Sequence, residues 1–376
     1  MMHTFHRAAL AFGLMAATAL AQKGRETLAV YGLDDRQDFY QVSADLQSLG
    51  RAVCLIVNDG EVIDNGDGTF TLITQPLATR VAGKSGGTPL CPTERFADQP
   101  TAGFCTGVLV APDVIATAGH CVLDALTCSR SLFIFDFHMI SVSEARTTFV
   151  AGQIYRCLGL IEGRRAASPG GADWALLKLD RQAFDRLPMT LTGDALVLSG
   201  EAMLLLSHPS GLPLKYAGPA LVRDALNEDS FQADFDAFEG SSGGAVLSNG
   251  LRQLEGIFNA GNLDYVPGPA GCLVANVCPE GGCDNSPVGL RWEVATRAAL
   301  FREALANAGS AVFGGQDTDG DYFTDAEEIA ARTNPLDPND FPLTRYERVT
   351  PCGNVGLWLY PALMASAGLL VIRRRR

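Results

Sequence analysis

The sequence predicts an all-β protein built on antiparallel barrel sheet, and three observations carry that reading. From Phe104 to Leu177 short apolar runs recur between turns, among them Val108-Leu109-Val110 before a Pro112-Asp113 turn, Leu132 to Phe137, and Thr147 to Ile154. No long helical period interrupts that span, and short strands at turn-length spacing are the pattern of a barrel. Upstream, the β-type run Ala52 to Val57 precedes Asp64-Asn65-Gly66-Asp67-Gly68, which is hairpin-turn chemistry leading into the alternating strand Thr69 to Leu72. Asp64 and Asp67 as calcium ligands is the weaker reading, because the residues after them alternate as a strand.

Taken in order, Met1 to Ala21 has a basic start at Arg7, an apolar run from Ala8 to Leu20, and Ala19-Leu20-Ala21 as a small-residue cleavage site. That is a secretory leader, too short and wrongly flanked for a stable membrane span. Residues 22–50 are polar with helical patches and read as an N-terminal extension, either packed on the surface or removed as a propeptide. Residues 51–312 form the main domain, in which Ala295 to Ala308 has helical spacing through Ala299, Leu300, Ala304 and Leu305. Gly309 to Gly315 reads as a linker. Ten cysteines in 376 residues fit an oxidising compartment. The formal charge of −13 grows more negative once Arg7 and the four terminal arginines are set aside. Such an excess argues against nucleic acid or an anionic surface as a partner.

Ser242 lies in Asp236-Ala237-Phe238-Glu239-Gly240-Ser241-Ser242-Gly243-Gly244. A serine hydroxyl needs a base to take its proton and donors to hold the oxyanion that forms. The flanking glycines let the chain turn sharply, so the amides of Gly240 and Ser242 can face one pocket. Upstream stand Thr117-Ala118-Gly119-His120-Cys121, with Cys105 sixteen residues before Cys121, and Ala172-Asp173-Trp174-Ala175-Leu176-Leu177.

With the order His120, Asp173, Ser242, the stretch from Arg51 to Thr296 resembles the trypsin-like serine peptidases of the chymotrypsin fold. The resemblance implies two antiparallel six-stranded β-barrels with a closing C-terminal helix. It implies His120 as general base and acid, Asp173 holding its tautomer, Ser242 as nucleophile, and an oxyanion hole from Gly240 and Ser242. It pairs Cys105 with Cys121. Cys91, Cys128, Cys157, Cys272, Cys278 and Cys283 are expected in disulfides of open connectivity, with a zinc site from Cys272, Cys278 and Cys283 as the alternative. Asp236, six residues before Ser242, takes the place of the carboxylate that reads Lys or Arg. Phe258, in Glu255-Gly256-Ile257-Phe258-Asn259-Ala260-Gly261, stands where glutamyl endopeptidases carry a histidine. Both are candidate pocket residues. Ser241 replaces the aspartate that pairs with a freed N-terminus in the activated enzymes, so that switch is absent. Tyr31-Gly32-Leu33-Asp34-Asp35-Arg36 is similar to the opening of bacterial trypsin-like proteins. His208, beside Pro209, is read as holding its own loop.

In residues 313–342, Asp317, Asp319, Asp321, Asp325 and Glu328 place oxygens at calcium-loop positions 1, 3, 5, 9 and 12, with the Phe323 carbonyl at 7. Tyr322 stands where such loops usually carry glycine. With Thr333-Asn334-Pro335-Leu336-Asp337-Pro338, the segment resembles thrombospondin type 3 repeats, implying a structural calcium ion and no cofactor for catalysis. In residues 343–376, the apolar stretch from Gly353 to Ile372 just spans a bilayer and ends in Arg373 to Arg376. With Cys352-Gly353 it resembles bacterial C-terminal sorting signals, so the tail's partner is sorting machinery or the membrane. The sequence thus points to an exported, monomeric serine endopeptidase acting on protein or peptide substrates in the periplasm, at the cell surface or outside. The alternatives are an inactive barrel kept as a binding module, and an esterase using the same triad.

Overall fold

Twelve strands close into two antiparallel rings of six. A computed structural model describes residues 29–313, apart from Pro169, 193–196, 249–252, 280 and 285–288. The first ring comprises β1 (Val53–Asn58), β2 (Cys105–Ala111), β3 (Val114–Thr117), β4 (Ser131–Phe135), β5 (Ile154–Arg164) and β6 (Trp174–Leu179). It is closed by β1 against β4, with Val57 opposite Leu132 and Ile56 opposite Phe133. Residues 53–57 and the whole of β2 are buried, so these strands read as continuous apolar runs rather than alternations. Two register shifts in β5, between Cys157 and Gly159 and between Leu160 and Glu162, bend this long strand around the ring.

The second ring comprises β7 (Ala202–Ser207), β8 (Lys215–Asp224), β9 (Ser230–Ala233), β10 (Ala245–Ser248), β11 (Gln253–Ala260) and β12 (Glu293–Arg297). β12 closes it: Ala295 faces Phe231 of β9 on one side and Phe258 of β11 on the other. Here the structure corrects the helix expected from Ala295. Residues 295–297 belong to β12, and the helix, Ala299–Phe313, begins two residues later. The backbone groups of β12 complete two ladders at once, a tertiary demand that overrides small-residue local preference. The helix also runs through residues 309–313, which were expected to open a linker.

Residues 29–50, expected as an extension, are woven into the domain. Val30 and Tyr31 pair in parallel with Val277 and Cys278, and Gln37 and Asp38 pair with Tyr216 and Lys215 of β8. α1 (Ala44–Gly50) is capped by Ser43 and buries Leu49 with Val42 in the larger core. At the hairpin, Asp64 accepts the Gly66 amide and Asp67 the Thr69 amide, each at 2.9 Å, which is turn chemistry. The leader, the calcium candidates Asp317, Asp319, Asp321, Phe323, Asp325 and Glu328, and the C-terminal stretch all lie outside the described residues. Among the described residues, no helix is long and apolar enough to cross a membrane.

Among the described residues, four disulfides join Cys91–Cys272, Cys105–Cys121, Cys128–Cys157 and Cys278–Cys283, with Cys54 buried as a free thiol. All three cysteines of the zinc alternative are consumed by these bonds.

Candidate active site

His120 leaves the end of β3 on the turn that Cys121 clasps back to Cys105 at the start of β2. Its neighbour Gly119 allows the close approach this turn needs: a Cβ there would lie 2.1 Å from the Arg164 carbonyl oxygen and 2.6 Å from Asp173 Oδ1. The His120 ring meets Asp173 Oδ2 through Nδ1 at 2.8 Å, and the His120 amide donates to Asp173 Oδ1 at 2.9 Å. Two bonds to one carboxylate fix both the ring and the backbone of the histidine. Asp173 sits at the head of β6. Its amide donates to Thr296 Oγ1 at 3.0 Å, and Thr296 donates back to the Asp173 carbonyl at 3.2 Å. Asn259 of β11 adds a third bond, donating to Thr296 Oγ1 at 2.8 Å. Sequence reasoning missed Thr296 and Asn259. The local signal was thin, an amide beside the expected pocket residue and a hydroxyl in a stretch read as helix.

Ser242 arrives on the turn between the Phe235–Phe238 run and β10. Its carbonyl accepts the Thr106 amide at 2.8 Å and lies 3.7 Å from Cys121 Sγ, so the backbone of Ser242 is held against the histidine's own disulfide. Gly240 adopts φ +98°, and a Cβ there would stand 2.7 Å from the His208 carbonyl oxygen. The Gly240 carbonyl is drawn inward by Thr106 Oγ1 at 2.7 Å. The hydroxyl of Ser241 sits in a wholly buried site, where it meets Ser207 Oγ at 3.0 Å and the Phe238 amide at 3.3 Å. His208 is buried, with Nδ1 2.9 Å from the Leu212 carbonyl oxygen, and burial pushes its ring down to about 3. It holds the 208–212 loop, as expected.

The candidate pocket residues are both engaged in packing. Asp236 is buried, and its Oδ1 accepts the Tyr31 amide and its Oδ2 the Asp35 amide, each at 2.8 Å. Burial, with the charges of Asp35 and Asp34 adding to it, raises its carboxyl to about 7 against the two amide bonds. Phe258 lies in the second barrel's core, edge-on to Phe235 at a centroid distance of 6.3 Å. The sulfurs of Cys105 and Cys121 and a nitrogen of His120 fall within 4.8 Å of one another, but the sulfurs are bonded to each other and offer no thiolate to a metal. Beside Glu239 opens a cavity of about 300 Å³ lined by Arg80, Lys84, Ser210, Asp264 and Tyr265.

Two six-stranded barrels with a histidine–aspartate pair and a glycine-flanked serine at their junction make this a chymotrypsin-type fold. Residues 105–257 match the family described as trypsin-like peptidase domain. Among solved structures, the chain is similar to a Glu endopeptidase in complex with MPD, at 17% identity and TM-score 0.42, covering 74% of this chain and 98% of that one. It is also similar to the Vibrio cholerae VesB protease, at 12% identity and TM-score 0.43, covering 73% of this chain and 67% of that one. Among curated proteins, none matches the chain.

Proposed function

We propose that this protein is an exported serine endopeptidase working through Ser242, His120 and Asp173. The observation that carries the reading is the His120 Nδ1–Asp173 contact of 2.8 Å beside a Ser242 backbone held to the Cys121 sulfur. Ser242 Oγ attacks the scissile carbonyl carbon while His120 Nε2 takes the hydroxyl proton. The amides of Gly240 and Ser242 face the oxyanion. As the carbon–nitrogen bond breaks, His120 returns that proton to the leaving amine, and water then releases the acyl group from Ser242 by the same exchange. Asp173, bonded to Nδ1, keeps the neutral ring in the tautomer whose Nε2 is basic. The four disulfides support an oxidising compartment. No side-chain preference is assigned, since Asp236 anchors backbone amides and Phe258 packs in the core. The Gly353–Ile372 stretch is the proposed sorting segment; a mature chain whose mass still includes Arg376 rejects it.

The test is intact-mass labelling of the folded protein by a fluorophosphonate probe, beside Ser242→Ala. One adduct on the native chain and none on the variant supports an activated serine, and turnover of peptides against simple esters then separates peptidase from esterase. No adduct on the folded native chain favours an inactive binding module.

A further inference from the structure

Beneath the nucleophile turn runs a buried seam that the proposed chemistry does not use. The segment Ala29–Asp38 passes under residues 236–238. The Ala237 amide donates to the Ala29 carbonyl at 3.1 Å, and Asp236 holds the amides of Tyr31 and Asp35. The Asp35 carboxylate in turn accepts the Gly218 amide at 3.1 Å, fixing the segment to β8. Next along the chain, the guanidinium of Arg36, only 4% exposed, rests 4.1 Å from the ring centroid of Phe238 and 5.0 Å from that of Phe96. Its planar orientation is fixed by Asp34, which accepts from Nε at 2.8 Å and from a terminal nitrogen at 2.6 Å. Phe96 holds φ +64°, an unusual conformation for an aromatic residue, and Arg95 beside it donates to the Arg36 carbonyl at 2.7 Å. Phe238 is the last fully buried side chain before the turn: its carbonyl accepts the Ser241 amide at 2.8 Å, and its amide meets the Ser241 hydroxyl.

Resting on the reading of Ser242 as nucleophile, we propose that Arg36 is a positioning residue for the Gly240–Ser242 turn, acting through Phe238. The segment Ala29–Asp38 is then a permanent part of the working protein and orders the turn by packing. A planar cation between two rings fixes the height and tilt of Phe238, and a charge alone does not. Cleavage within residues 29–38 would silence the protein rather than activate it.

The experiment compares the full chain with Arg36→Ala, Arg36→Lys and Phe96→Leu, reading hydrogen exchange by peptide and the rate of fluorophosphonate inactivation. Arg36→Ala is expected to speed exchange at least tenfold in residues 238–244, leave β2 unchanged, and slow the maximal inactivation rate at least tenfold with little change in probe affinity. Arg36→Lys recovers less than half of either loss. Native-like exchange in residues 238–244 of a folded Arg36→Ala overturns the proposal. Should that variant lose protection throughout, Phe96→Leu decides: the same localised rise supports the proposal and its absence overturns it. If the native chain takes no adduct, the peptidase reading fails, while the exchange comparison still decides the role of Arg36.

Discussion

Replacing Asp236 with asparagine should make the stability gap between variant and parent depend on pH, in a direction fixed by the structure. In the folded protein burial raises this carboxyl from its ordinary 3.8 to about 7. A raised acid binds its proton more tightly in the native state, so its contribution to stability is intact below about pH 4 and is lost as pH climbs to about 7. At about 1.36 kcal/mol per unit of pH, the loss is at most about 4 kcal/mol, shared with Asp35, whose carboxyl is also raised by burial. Asparagine cannot titrate, and it keeps one acceptor for the two amides that Asp236 holds. The orphaned amide costs about 1–3 kcal/mol at every pH. Asp236→Asn should therefore be clearly less stable than the parent at pH 4.5, and the gap should narrow or reverse by pH 8. Urea unfolding across that range, followed by tryptophan fluorescence, measures it. Parallel stability curves would refute the claim that a buried, proton-holding carboxyl joins the N-terminal segment to the turn that carries Ser242.

Asp173→Asn keeps the shape of the site but favours the wrong imidazole tautomer, and should slow acylation of Ser242 by about four orders of magnitude; labelling at the parental rate would remove Asp173 from the mechanism. Asp38→Asn removes the negative charge paired with Lys215, which is 1% exposed and also donates to Gln99 Oε1, and whose ammonium burial already pushes down to about 8. About 3–5 kcal/mol should be lost at pH 7, and a change in urea midpoint equivalent to less than 1 kcal/mol would count against a buried pair. Millimolar calcium should protect residues 313–342 of the full chain from proteolysis, and alanine at Asp317 and Glu328 should abolish that protection; cleavage unaffected by calcium rejects the calcium loop.

What the sequence made legible was local. Thr117 to Cys121 and Gly240 to Gly244 each specify a turn within a few residues, and Asp64 to Gly68 satisfies its own backbone. What escaped was written across distance. Nothing near Tyr31 announces a bond to Asp236, 205 positions away, nor does Cys91 announce Cys272, 181 positions away. The polar letters of Asp34-Asp35-Arg36 read as surface because each carboxylate and the guanidinium find partners only in the folded chain. Val294-Ala295-Thr296 suits strand and helix alike, and only the two open ladders of the second barrel decide between them.

The hydroxyl of Thr296, far along the chain, braces the aspartate that holds His120. A polypeptide leaves the ribosome from its N-terminus, so His120 and Asp173 are made well before the residue that secures them. The strand bearing Thr296 also seals the second barrel, and until it arrives the pieces of the site belong to two incomplete sheets. A nascent or truncated chain ending short of residue 296 would thus carry the histidine, the aspartate and the serine without a working arrangement of them.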